Sequence, residues 1–256
     1  MSDERLDNEN MKVMKLIFAC TGVLMASCIC NSCMKDEGYS LGNVWYSIAT
    51  VVPANDLPAY YLRLDQGTTL WPAATDIPWY VPSEKHRVLA YYTVLSDSYY
   101  DYDHAVKVLG IQDVLTKPIA EDQGEDNDGY FGNDPVNILS MWVGDGYLNV
   151  KFGFCYGGSV KHFINLVERE SEDTPRYFEF RHNAYQDNAY VQRNGIVSFD
   201  LSSLETDRTE IQLTIRVKTF EGEKDYTVKY NPGSEGQTTN SVERALSGDS
   251  DFVEII

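Results

Sequence analysis

Leu213, Ile215 and Val217 alternate with Thr214, Arg216 and Lys218. A two-residue period puts one set of side chains on a buried face and the other in water, which is the pattern of a half-buried β-strand. Short apolar–aromatic runs broken by turn residues recur along the body of the chain, and helical periodicity is absent from nearly all of it. WYSIATVVP (45–53), AYYLRLDQG (59–67), TTLWPAA (68–74), HRVLAYYTVLSD (86–97) and AVKVLGIQDVLTKPI (105–119) form a first group. The second and third of these meet at Asp65-Gln66-Gly67, a three-residue hairpin signal. Five short strands predict a small barrel of OB type. Seven more runs, at 138–144, 147–157, 162–170, 176–184, 195–204, 210–220 and 224–230, predict an antiparallel β-sandwich, with a hairpin turn at Glu221-Gly222-Glu223. The fold class is therefore all-β, an N-terminal OB-like barrel followed by a C-terminal sandwich.

Between the two groups, residues 121–134 (EDQGEDNDGYFGND) carry six acids, three glycines and no base. They read as an acidic linker between a barrel domain at 38–120 and a sandwich domain at 135–231. A calcium loop fails there: placing Gly129 at position 6 puts Gly124 and Pro135 at the two positions that need acidic ligands. Residues 232–256 read as a polar tail, with a short helix at 242–246.

The first 33 residues read as an address. A polar stretch precedes Met11, which is the expected natural start; Lys12 and Lys15 then lead into the eleven-residue apolar run Leu16–Ala26. That run is too short to cross a membrane, which takes about 20 residues, and fits a signal peptide. Four of the five cysteines (Cys20, Cys28, Cys30 and Cys33) lie in or just after it. A disulfide-held secreted domain would place them in the body instead, so the cluster marks a lipoprotein signal. Met25-Ala26-Ser27 before Cys28 makes the better cleavage box. Cys33 is followed by Met34-Lys35-Asp36-Glu37, similar to the surface-export tag of some Gram-negative lipoproteins, and is the favoured lipid site, with Cys28 as runner-up. The expected location is the cell envelope, tethered by lipid to the outer membrane and exposed at its surface. Cys155 lies in a strand pattern and reads as a core thiol.

Charge bounds the partners. The chain carries 39 acids against 21 Lys and Arg, a net charge of −18, and residues 34–118 hold ten acids and six bases. Phosphate backbones need positive charge, so nucleic acid is not expected. No nucleophile elbow, zinc helix or phosphate loop is present. No catalytic residue, metal ligand or cofactor is assigned. His104 sits beside Asp97, Asp101 and Asp103, a grouping more common in polar loops than in metal or acid–base sites. Lys161-His162 and Arg181-His182 repeat a base–His pair that would make an anion patch if their strands are neighbours, or else pair with glutamates across the sheet.

An aromatic set offers more: Tyr60, Tyr61, Trp71, Trp79, Tyr80, Tyr91 and Tyr92. The loop TTLWPAATDIPWYVP holds two tryptophans among three prolines, which lower the entropy cost of presenting them. Trp71, Trp79 and Tyr80 are the expected binding face, for an envelope protein, a bacteriocin or a glycan. The competing possibility is a plug folded over the barrel end. A carboxylate-dependent glycan-active enzyme using the Asp97–Asp103 cluster is the alternative to a binding protein, and a glycan-binding accessory protein is a third reading.

Several stretches resemble the NigD-like proteins, lipoproteins of anaerobic Gram-negative bacteria. They are Gly38-Tyr39-Ser40-Leu41-Gly42, Ser47-Ile48-Ala49-Thr50-Val51-Val52, Gly67-Thr68-Thr69-Leu70-Trp71-Pro72-Ala73-Ala74, Asp113-Val114-Leu115-Thr116-Lys117-Pro118, Gly132-Asn133-Asp134-Pro135, Phe180-Arg181-His182-Asn183-Ala184-Tyr185 and Gly222-Glu223-Lys224-Asp225-Tyr226. The resemblance implies an OB-like domain and a β-sandwich domain. It carries an association with a bacteriocin operon, where an immunity role has been suggested, and no catalytic residues.

Overall fold

A computed structural model describes residues 42–54, 59–158, 160–171, 174, 176–187, 191–204 and 210–232, all within one unit spanning Ser40–Ile256. The signal peptide, Cys28, Cys33 and the helix expected at 242–246 lie outside the described residues.

The first five strands are β1 (Trp45–Pro53), β2 (Tyr60–Leu64), β3 (Thr69–Thr75), β4 (His86–Ser96) and β5 (His104–Asp113). They close into a barrel in the order β1-β2-β3-β5-β4, so the barrel offers no open sheet edge. Its one parallel seam, β3 with β5, shifts register between Pro72 and Ala74; such bulges supply the extra bend that closure needs. Val51, Leu62, Leu70, Val88, Val106 and Val108 fill the interior. Strands β1 and β4 are buried on both faces over Ile48–Val51 and Arg87–Ala90, because their outer faces lie against the second domain.

That second domain contains β6 (Leu115–Pro118), β7 (Asn137–Gly144), β8 (Tyr147–Cys155), β9 (Phe163–Arg169), β10 (Tyr177–Asn183), β11 (Gln192–Asp200), β12 (Ile211–Thr219) and β13 (Gly222–Tyr230). Two four-stranded sheets, β13-β12-β10-β9 and β6-β11-β8-β7, face each other. Their core includes Phe152, Phe154, Phe178, Phe180 and Phe199, packed as tilted and edge-on aromatic pairs. All seven expected sandwich runs are strands. The sheets are not purely antiparallel: β10 runs parallel to β12, and β6 parallel to β11. Between β10 and β12 the chain crosses to the opposite sheet as β11, and two reversals restore its direction. Alternation encodes which face a residue occupies, not which way its neighbour runs.

The acidic segment departs from the linker expected there. The chain leaves the barrel at Val114 and enters the sandwich at once, as β6. Residues 121–134 fold onto the sandwich as a 3₁₀ turn (Gly124–Asp126) and a short helix, α1 (Asn127–Phe131). Phe131 and Asn127 are buried, and Phe131 stacks on Phe163. Asp122 pairs with Arg169 at 3.1 Å, and Asp128 pairs with Arg181. Two of the six acids counted as solvating charge are instead paired with arginines on β9 and β10, which composition along the chain cannot reveal.

Candidate functional site: an aromatic face on the barrel

Burial alternates along β2: Tyr60, Leu62 and Leu64 point inward, while Tyr61 and Arg63 point outward. In β3, Leu70 points inward and Trp71 outward. The period of two thus sets Tyr61 and Trp71 side by side on the outer β2–β3 face. OB barrels present oligosaccharides and oligonucleotides with this face and with the β4–β5 loop beside it.

Here the β4–β5 loop, residues 97–103, folds over that face. The Tyr102 ring lies 4.9 Å from Trp71 and 5.4 Å from Tyr61, and the Tyr99 ring lies near-parallel to Trp71 at 6.3 Å, all between centroids. Tyr99 and Tyr102 exchange two backbone hydrogen bonds of 3.0 Å, closing a tight turn. The Asp103 carboxylate accepts from the Thr69 backbone N–H at 2.7 Å and from its hydroxyl at 2.8 Å. These bonds hold Asp103 below its ordinary carboxylate pKa and fasten the loop to β3. At the tip, Tyr100 has φ 51°, a left-handed conformation that costs a bulky residue about 1–2 kcal/mol. Its ring is 89% exposed and leans edge-on against Tyr99.

Asp97, Asp101 and Asp103 are all exposed on this loop. The Tyr102 phenol is raised by burial, with Tyr61 and Asp101 pushing the same way. The cations of the face are matched by acids: Lys107 pairs with Asp76 at 2.8 Å, and Arg63 with Asp145 at 2.8 Å. The site is therefore aromatic and negative.

The three residues expected as a binding face part company. Trp71 joins the cluster just described. Trp79, in the β3–β4 loop, is 76% exposed. Tyr80 beside it is half-buried, its ring edge-on to Tyr60 at 5.3 Å and its hydroxyl 2.8 Å from His86 Nε2. His86 Nδ1 donates to the Glu84 carbonyl, so Nε2 accepts the Tyr80 proton. Tyr80 thus serves as a loop anchor, and Trp79 is held out beside it. Tyr99, Tyr100 and Tyr102 were missed as aromatics because the sequence SDSYYDYDH drew attention to its acids. The OB strand order is the signal that would have found them, since it marks the β4–β5 loop.

The two base–His pairs do come from neighbouring strands, but they form no anion patch. His162 and His182 are buried and bonded to each other, Nδ1 to Nε2, at 2.9 Å. Arg181 pairs with Glu179 and Asp128. Among the described residues, no cluster of three or more His, Cys, Asp or Glu side chains could hold a metal ion, and no helix is long and apolar enough to cross a membrane.

A closed OB barrel with an aromatic cluster on its outer face, fused to a two-sheet sandwich, defines a two-domain β-scaffold. The chain belongs to the NigD-like family: residues 48–114 match the NigD-like N-terminal OB domain, and residues 118–230 match the NigD-like C-terminal β-sandwich domain. A putative toxin-related protein from Parabacteroides distasonis is 45% identical, over 74% of this chain and 94% of that one, with a TM-score of 0.67. A Bacteroides vulgatus protein of unknown function is 25% identical, over 78% and 97% respectively, with a TM-score of 0.64. A NigD-like immunity protein from Bacteroides caccae shares the fold at 22% identity, over 76% and 100%, with a TM-score of 0.60. No curated protein matches the chain.

Proposed function

We propose that this chain is an envelope-anchored lipoprotein that acts as a non-catalytic binding protein, capturing a partner on the β2–β3 face of its barrel in an accessory or immunity role beside a secreted toxin. The observation that carries this reading is the Tyr61–Trp71–Tyr99–Tyr102 platform, roofed by a strained loop that leaves Tyr100 in solvent. Large, rigid aromatic side chains supply contact area at low entropic cost. The description of the 45% identical relative as toxin-related supports the biological setting. A carboxylate chemistry on the same loop draws no support from Asp103, whose Oδ2 is spent on Thr69. Lipid attachment at Cys33, with the outer membrane as its destination, completes the reading.

A photo-crosslinking residue replacing Tyr100 in the host cell should give an adduct of discrete mass, whereas one replacing Phe220, on the far hairpin of the sandwich, should not. Identical patterns at both positions, or none at either, would overturn the binding face. Mass spectrometry should find a lipidated Cys33 as the first residue of the mature chain; an intact chain starting at Met1 would overturn the anchoring.

A further inference from the structure

The geometry points to a cationic polypeptide segment, one presenting Arg or Lys, as the occupant of the Tyr61–Trp71–Tyr99–Tyr102 face. This inference rests on the binding-protein reading above and adds the chemistry of the partner. The first argument is charge. The loop of residues 97–103 carries three exposed acids, Asp97, Asp101 and Asp103, and Asp101 acts directly on the Tyr102 phenol. The bases on the face are already matched, Lys107 by Asp76 and Arg63 by Asp145. The whole chain carries −18, so an anionic partner is repelled over about a Debye length and a cationic one is steered in.

The second argument is the ring chemistry. The faces of Trp and Tyr carry negative quadrupoles that attract guanidinium and ammonium groups, most strongly where water is partly excluded. Trp71, Tyr61 and Tyr102 are half-buried, so a cation seated on them is partly desolvated, while Asp101 lies close enough to raise the Tyr102 phenol. Cation–π contact and carboxylate pairing can then act on one side chain together. A neutral glycan would gain from stacking on the rings but would not draw on the net charge. The third argument is the closed barrel. With no open strand edge, the partner cannot add a strand and must be read through its side chains.

The test is isothermal titration of the mature chain, in physiological salt, with three probes: a dodecapeptide alternating Arg and Gly, its Glu–Gly counterpart, and maltohexaose. The Arg–Gly peptide should bind and the other two should not. Tyr99→Ala and Asp101→Asn should each weaken binding at least tenfold. Glu221→Gln, which removes a carboxylate from the distant β12–β13 turn, should leave it within twofold. Tyr100→Gly relieves the φ 51° strain, so it should raise the melting temperature while weakening binding, a pairing that misfolding cannot produce. Peptide affinity that survives the loop variants would overturn the proposal as mere bulk charge, and maltohexaose binding in place of the peptide would overturn it in favour of a glycan. A crosslinked adduct at position 100 without peptide binding would overturn the cationic partner and leave the binding face standing; absence of both would overturn both.

Discussion

His182, buried on β10, shows how a single protonation state can be fixed by its partners. The Asp187 carboxylate, 3.3 Å from His162 Nε2, can only accept, so Nε2 carries the proton. His162 Nδ1 is then an acceptor, and His182 Nε2 donates to it at 2.9 Å. That leaves His182 Nδ1 as a lone pair with no hydrogen-bond partner. Protonating it would place a charge in the core, a cost that the Asp134 carboxylate and the backbone of Asp134 and Pro135 offset only in part. Burial first, and electrostatic coupling to His162 second, hold the His182 pKa down to about 4 from its ordinary 6.5. The unfolded chain takes up this proton near pH 6.5 and the folded chain only near pH 4, so the stability from this residue is complete above 6.5 and is lost as pH falls through that window. The carboxylates held below their ordinary values, such as Asp103, Asp122 and Asp128, add their own loss at lower pH. Urea midpoints measured from pH 7 to pH 4 should therefore fall steadily, and His182→Gln, which keeps a donor near the Nε2 position, should flatten that decline. An unchanged slope in the variant would refute the assignment.

Among the elements, the β7–β8 hairpin meets the barrel closely. Its turn is Asp145-Gly146, with φ 50° and 84°, the tight two-residue form that matches strand twist. Just before it, Gly144 touches the barrel so closely that an added Cβ would lie 2.3 Å from Asp65 Cβ and 2.5 Å from Cγ. Gly144→Ala must therefore move Asp65, which accepts from Trp142 Nε1 at 2.6 Å and from Arg87. A loss of about 1–3 kcal/mol is expected, the usual cost of overpacking, together with a shift in Trp142 fluorescence. Full wild-type stability with unshifted emission would show that the contact yields cheaply. Helix α1 makes a complementary point: at five residues it has little stability of its own, and it persists because Phe131 is buried against Phe163 and Asp128 meets Arg181.

At the scale of the molecule, barrel and sandwich share one buried polar hub. Arg87, fully buried on β4, donates to Asp65 at 2.5 Å, to Thr50 at 3.0 Å and to Asn149 of β8 at 3.0 Å, with its guanidinium over the Tyr147 ring. Thr50 bonds in turn to Asp145, and Ser198 of β11 donates to Asn149. An apolar layer of Ile48, Leu89, Val114 and Ile196 lies between the domains as well. Such a network is sensitive to the loss of one member, because the remaining charge stays buried and unpaired. Arg87→Ala should cost about 3–5 kcal/mol and uncouple the halves. Calorimetry should then show the barrel melting ahead of the sandwich, where the wild type should show a single transition. A single transition at unchanged temperature in the variant would show that the apolar layer alone couples the domains.

Apolar runs broken by turn residues were enough to assign the fold class and most of the strands, and alternation gave the inward face of β12 at Leu213, Ile215 and Val217, because a period of two records which face meets the core. Net charge was legible as well, since it is a sum that needs no coordinates. Three things lay beyond such patterns. Where the barrel ends was hidden, because β5 and β6 are contiguous in sequence and separate only at Val114. Pairing of distant charges was hidden, so the acids of 121–134 read as solvated until Arg169 and Arg181 were seen to meet two of them. The proposed binding face was half legible: Tyr61 and Trp71 stood out as aromatic residues, but their companions Tyr99 and Tyr102 come from a loop far along the chain. Only closure of the barrel brings those rings within about 5–6 Å of one another, because contact between residues far apart in the chain depends on strand order and loop path, which local pattern does not encode.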